Sequence, residues 1–255
     1  GIHVGFYYSL IDWHHPDFTI DVNHPRRDDP DARQQNEGRD MHRYAKYMRD
    51  QITELLTNYG KIDILWLDFS YSQRHGEGDK AWLGGKGKDD WESEELIRTA
   101  RNLQPHIIIE NRAELEQDLW TPEQFQPTDW FRHPKTGELV TWEACQTFSG
   151  SWGYYRDEFT WKSPEMLIRM LINTVSNGGN LIMNVGPTAR GYLDHRAEEA
   201  LAVYADWMKY NSRSIYGCTK AEPEFKTPTD CRLTQSEDGK RLYIHLYAYP
   251  FDNMK

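Results

Sequence analysis

Apolar and polar positions along this 255-residue chain fall into alternating strand-like and helix-like blocks. Residues 2–9, IHVGFYYS, are rich in aromatic and branched side chains and predict a strand. A long polar stretch from Asp12 to about Arg39 follows, with PRRDDPDARQQ expected as exposed loop. Between 41 and 58, Tyr44, Tyr47, Met48, Gln51, Ile52, Leu55 and Leu56 recur at mostly helical spacing, and Gly60 ends the helix. Residues 62–69 read as a second strand, whose nearly unbroken apolar run, IDILWL, suits burial on both faces. A glycine- and charge-rich loop over 73–90 comes next, readable either as a lid over a site or as an insertion without a role. A helix over 91–103, a strand over 107–110 and a fourth strand over 139–147 follow. A helix over 164–177 then leads through Gly178-Gly179 into a fifth strand at 180–185, and a helix over 196–209 closes the series.

This alternation is the pattern of a parallel α/β sheet or barrel. A complete (β/α)8 barrel needs eight strands in about 250 residues. Five β runs therefore predict the C-terminal part of a (β/α)8-type, TIM-like barrel over residues 1–216. From 217 the character changes: Pro223 and Pro228 precede RLTQSEDGKRLYIHLYAY, which reads as a hairpin around Glu237-Asp238-Gly239. Residues 217–255 are expected to begin a second, all-β domain. The chain opens already inside a strand pattern, GIHVGFYYS, which predicts further sequence upstream.

Composition narrows the partners more than the fold. A formal charge of −10 argues against nucleic acid, which requires a surplus of Lys and Arg on some face. No apolar run approaches the ~18 residues of a membrane span. Hydrophobic residues make up only 38%, so the core must draw on 10 Trp, 15 Tyr and 9 Phe, side chains that also suit the C–H faces of sugar rings. Three cysteines supply no disulfide framework: Cys145 lies in an apolar segment, and Cys218 and Cys231 are placed either to pair or to stay free. Compartment and oligomeric state stay open.

The chemistry lies where acids meet strand ends, since barrel active sites sit at the C-terminal ends of the strands. Asp68 ends the second strand, two residues beyond Trp66 and on the same face. A structural Asp capping the next loop is the bland alternative. Glu110 ends the next strand in IIIENR, where the alternative is a weak surface pair with Arg112. Glu143, in TWEAC, follows the same logic on a third strand. Glu123, in WTPEQF, reads equally as the first turn of a helix capped by Thr121. Two carboxyls across one sugar are the minimum for glycoside hydrolysis, one as nucleophile and one as acid and base. His14-His15 suggests a metal site only weakly, because adjacent histidines point apart, and one imidazole at a pocket mouth, His14, is the simpler reading. Neither a phosphate-binding glycine loop nor G-x-S-x-G is present.

Five segments together resemble glycoside hydrolase family 29, the α-L-fucosidases: GFYYSLIDWHHPDF, LLTNYGKIDILWLDF, IIIENR, DLWTPEQF and the long block TWEACQTFSGSWGYYRDEFTWKSPEMLIRMLINTVSNGGNLIMNVGPTARG. The resemblance runs over residues 1–217, and KRLYIHLYAYP looks like the opening of the family's C-terminal β-sandwich. It implies a retaining hydrolase that releases L-fucose from a fucosylated oligosaccharide or glycoconjugate, without metal or cofactor. Asp68 takes the place of the nucleophile. Trp66 lines the fucose pocket, Tyr8 contacts the sugar with Tyr7 as the alternative, and Arg112 binds the sugar or orients the nucleophile. The acid/base falls on Glu110 or Glu123, with the more rigid strand end favouring Glu110, and Glu143 binds sugar or supports the pocket. Two departures stand out: many relatives carry Asp in place of Glu110, and the family's His-His-Asp-Gly-Phe segment is absent. The second keeps open a non-catalytic fucose-binding protein on a decayed hydrolase scaffold.

Overall fold

The computed structural model describes residues 2–248, which pack as two compact units, one ending at Trp120 and the other beginning at Thr121. In the first unit, strands β1 (Gly5–Ser9), β2 (Ile64–Asp68) and β3 (Ile108–Ile109) lie side by side in chain order and run parallel. A short helix α1 (Ala32–Gln35) and helix α2 (Met41–Asn58) fill the first crossover, and α3 (Ser93–Leu103) fills the second. The side chain of Asp40 caps α2 by accepting the His42 N–H at 2.9 Å. The helix then buries Tyr44, Ala45, Met48, Ile52 and Leu56, a stripe at 3.6-residue spacing, against Leu65, Leu67 and Ile109. Its exit is latched by the buried amide of Gln104. That side chain accepts the Ile62 N–H at 2.8 Å and donates to the carbonyls of Leu56 and Gly60 at 2.8 and 2.9 Å.

The two polar segments differ from their sequence reading. Phe18 is fully buried in the core beside Tyr44 and Trp91, and Ile20 and Ala32 pack with Leu83 from the 73–90 loop. The loops are also tied by Val22 N–H to the Gly84 carbonyl at 3.2 Å and by the Tyr71 hydroxyl to Asp21 at 2.6 Å. The glycine-rich loop is therefore an anchored partner of the first loop, held by a few isolated apolar residues that carry no periodic signal.

In the second unit β4 (Glu143–Thr147) and β5 (Asn180–Asn184) form a parallel pair, joined through α4 (Pro164–Ser176) and followed by α5 (His195–Asn211). Ser163 caps α4 by accepting the Met166 N–H at 3.2 Å, and Pro164 begins it. Strand β4 is shorter than the expected 139–147, because Leu139 pairs with Arg132 and Val140 N–H with the Phe131 carbonyl in a separate turn. The expected helix start at Thr121 does not form. Instead the chain runs beside β4, Cys145 N–H reaching the Pro122 carbonyl at 3.1 Å and Gln124 N–H the Cys145 carbonyl at 3.0 Å. Gln124 then turns away in a left-handed conformation.

An antiparallel sheet of β6 (Cys218–Lys220), β7 (Cys231–Ser236) and β8 (Leu242–Leu246) ends the described chain, with β7 and β8 joined at the expected Glu237-Asp238-Gly239 turn. It packs on the helices of its own unit: the Thr234 hydroxyl donates to the Ser214 carbonyl at 2.7 Å, and Arg169 to the Tyr247 carbonyl at 2.7 Å. The last residue of the expected hairpin, Tyr249, and the remainder of the expected domain to 255 lie outside the described residues. None of Cys145, Cys218 and Cys231 forms a disulfide among the described residues.

Candidate active site

Register decides which side chains meet at Asp68. Strand β1 pairs with β2 so that Tyr7 stands opposite Trp66 and Ser9 opposite Asp68. Paired residues project to the same face, so Tyr7, Trp66 and Asp68 share one face, while Phe6, Tyr8, Leu65 and Leu67 face the helices. Tyr8 is accordingly not beside Asp68: its hydroxyl donates to Gln51 on α2 at 2.6 Å, and burial pushes its phenol pKa up. Tyr7, the second choice from sequence, occupies the site.

Both carboxylate oxygens of Asp68 are held. The Tyr7 hydroxyl donates to Oδ2 at 2.7 Å, and Arg112 Nη1 donates to Oδ1 at 3.0 Å. The Arg112 guanidinium lies 4.5 Å from the Trp66 ring centre, and the Tyr7 ring stacks on Trp66 at 5.8 Å and 22°. Tyr, Trp and Arg thus form a stacked clamp, in which planar contacts limit side-chain freedom and charge-assisted bonds aim one carboxylate. The Asp68 and Arg112 side chains are 18% and 14% exposed, so both are largely enclosed yet still reach solvent. Trp66 is buried, and Tyr7, at 58% exposed, is the ring that presents aromatic surface. Beyond Asp68 the chain turns at Phe69 with φ 76°, a strained conformation for a residue with a β-carbon. No sequence signal marks that turn, because phenylalanine is no left-handed former.

Glu110 stands on the same unit but in a different environment. It is 0% exposed. One oxygen accepts the backbone N–H of Leu67 at 2.7 Å, and the other accepts the backbone N–H of Arg112. Desolvation raises its pKa from 4.5 to about 7, against the two backbone N–H groups and Arg112, which favour the charged form, with Asp68 adding a smaller upward push. A pKa near 7 suits a general acid, yet the burial that produces it also shuts the group away from any leaving oxygen.

The shift carries a stability consequence. A carboxyl whose pKa is raised on folding stabilises fully below its unfolded value, near 4.5, and loses that contribution as pH rises through about 7. Its ceiling is about 3 kcal/mol. Glu110→Gln, which cannot ionise, is expected to flatten the fall in Tm between pH 5 and 7.5 relative to the parent. Parallel Tm–pH curves would contradict this.

The other sequence candidates lie elsewhere. His14 is exposed on the first loop, its backbone N–H bonded to Asp12 at 3.0 Å, while the neighbouring His15 ring packs on Tyr44 and Tyr47. Among the described residues no group of three or more His, Cys, Asp or Glu is arranged to hold a metal. In the second unit Glu143 opens β4 rather than ending it, so the strand-end argument does not apply to it. Glu123 is exposed and pairs with Cys145. It therefore projects to the side of Glu143 and Thr147, opposite Met183, which packs against α4 and α5. Each unit thus carries its candidate carboxylates, apart from the buried Glu110, on the sheet face that its helices leave uncovered.

Comparison with known proteins identifies the family to which these strands belong. The sequence model of the family described as Alpha-L-fucosidase matches residues 1–213. The rat plasma α-L-fucosidase is 28% identical over 98% of this chain and 50% of its own length. The Dictyostelium discoideum α-L-fucosidase is 24% identical over 100% of this chain, again spanning 50% of the relative. The chain therefore spans about half the length of these curated relatives. Among solved structures, α-L-fucosidase isoenzyme 1 from Paenibacillus thiaminolyticus superposes with a TM-score of 0.86 at 37% identity, over 98% of this chain and 58% of that one. A Bacteroides thetaiotaomicron α-L-fucosidase trapped as a covalent intermediate with 2-fluoro-fucosyl fluoride shares the fold, with a TM-score of 0.75 at 22% identity over 98% of this chain and 56% of that one. With the match running through β1, β2 and the residues that clamp Asp68, the chain belongs to the α-L-fucosidase family.

Proposed function

We propose that this protein is a retaining α-L-fucosidase, which hydrolyses terminal α-L-fucosides of oligosaccharides or glycoconjugates by double displacement. The parallel α/β segments are then the C-terminal part of a (β/α)8-type barrel, and residues from 217 the start of a β-sandwich. Asp68 attacks the anomeric carbon as the bond to the leaving oxygen breaks, and a carboxylic acid gives that oxygen its proton. The resulting carboxylate takes a proton from water, which attacks the same carbon and releases Asp68. The observation that carries this reading is the clamp on Asp68, both oxygens bonded and the side chain still partly exposed. Accessibility favours Glu123 over Glu110 as the acid/base, while Glu143 supports the pocket. Tyr7 is the ring facing the sugar. Nothing observed favours the non-catalytic alternative.

Release of phenolate from an aryl α-L-fucoside, with α-L-fucose as the first product seen by NMR, tests both activity and stereochemistry. β-L-fucose appearing first would overturn retention, and no release would overturn the activity. Tyr7→Phe keeps the ring and removes the hydrogen bond to Asp68. Bonds to charged groups contribute about 1.5–3 kcal/mol, so kcat is expected to fall roughly 10- to 100-fold with KM nearly unchanged. An unaltered kcat would show that the Tyr7 hydroxyl does not serve the nucleophile.

A further inference from the structure

We propose that Glu110 is a positioning residue, whose carboxylate ties the backbone beneath Asp68 to the backbone that carries Arg112. The inference rests on reading Asp68 as the nucleophile. Strand β3 stops at Ile109, leaving the Leu67 N–H beyond the last ladder pair, Leu65 with Ile109. A buried N–H without a partner is costly, and the Glu110 side chain supplies one at 2.7 Å. Its second oxygen takes the N–H of Arg112. Leu67 immediately precedes the nucleophile, and the Arg112 guanidinium holds one of the nucleophile's oxygens at 3.0 Å. One carboxylate thus sets both ends of the Asp68–Arg112 pair. Its two acceptors match two N–H donors, and its full burial leaves no surface for a sugar oxygen. The charged groups that act on it are Arg112 on its own segment and Asp68 at the end of β2.

Glu110→Gln replaces one acceptor with an N–H2 facing an N–H, so the carboxamide cannot satisfy both. The test compares two fucosides, one with a poor leaving group and one with 2,4-dinitrophenolate, which departs without protonation. A positioning residue slows formation of the fucosyl-enzyme with either. The expected result for Glu110→Gln is a kcat lower by roughly 10- to 100-fold on both substrates, KM within about threefold, and no restoration by azide. Glu110→Asp, which keeps two acceptors, should recover part of the loss and is read in the same way if the Gln variant does not fold. Near-normal fucosyl-enzyme formation with the dinitrophenyl substrate, together with fucosyl azide in the presence of azide, would make Glu110 the acid/base and overturn the proposal. An unchanged kcat on both substrates would also overturn it. Failure of the underlying reading is separable, because only that failure leaves Asp68→Ala active.

Discussion

Asp68→Ala is expected to lower kcat on an aryl α-L-fucoside by at least about a thousandfold, equivalent to about 4 kcal/mol of barrier. The covalent route then has no nucleophile, and Tyr7 and Arg112 lose the group they aim. A guanidinium has no free electron pair with which to attack an anomeric carbon, and a neutral phenol is a weaker nucleophile than a carboxylate. KM should change far less than kcat, since the lost interaction is made chiefly in the transition state. The vacated space also admits a small anion. Azide is expected to restore turnover in part and to yield a fucosyl azide of inverted configuration, which identifies Asp68 as the attacking group rather than a support for it. Near-normal turnover in a folded Asp68→Ala protein would end the assignment.

Gly178→Ala should produce a large loss of stability for the addition of a single methyl group. The residue has φ +80°, where a β-carbon is strained, and a β-carbon built there would lie 2.4–2.9 Å from the Trp130 ring. That ring cannot easily slide, because its indole N–H donates to the Val140 carbonyl at 3.1 Å. Overpacking and left-handed strain together should cost about 3 kcal/mol, lowering Tm by roughly 6–12 °C. Gly137→Ala is the control, having φ +73° but nothing within 4 Å, so it carries the strain alone. Equal Tm losses in the two variants would show that the tryptophan contact contributes nothing.

The Gly178-Gly179 pair shows how far a local pattern reaches. Its sequence marks the end of a helix before a strand, and α4 does end at Ser176. Why there are two glycines is decided by two rings far away in sequence: Trp130 lies over the first and Trp142, at 2.3 Å from a would-be β-carbon, over the second. The 73–90 loop makes the same point from the other side. Scattered residues such as Leu83 and Ile20 have no period to betray them, yet they pin two polar loops together.

By itself the sequence determined that β2 is a buried strand ending in an acid, that α2 buries one stripe, and that a hairpin turns at Glu237-Asp238-Gly239. Periodicity and turn chemistry report burial and backbone needs directly, and motif similarity singled out Asp68 and Arg112. Tertiary structure alone decided that Tyr7, not Tyr8, stands beside Asp68. Residues 2–9 are apolar enough on both faces that alternation is silent, and a register shift of one residue exchanges the faces. It also decided the surroundings of Glu110. Whether a strand-end carboxylate is accessible or is consumed by two backbone N–H groups depends on where the neighbouring ladder stops, and one of those groups comes from a strand more than forty residues earlier.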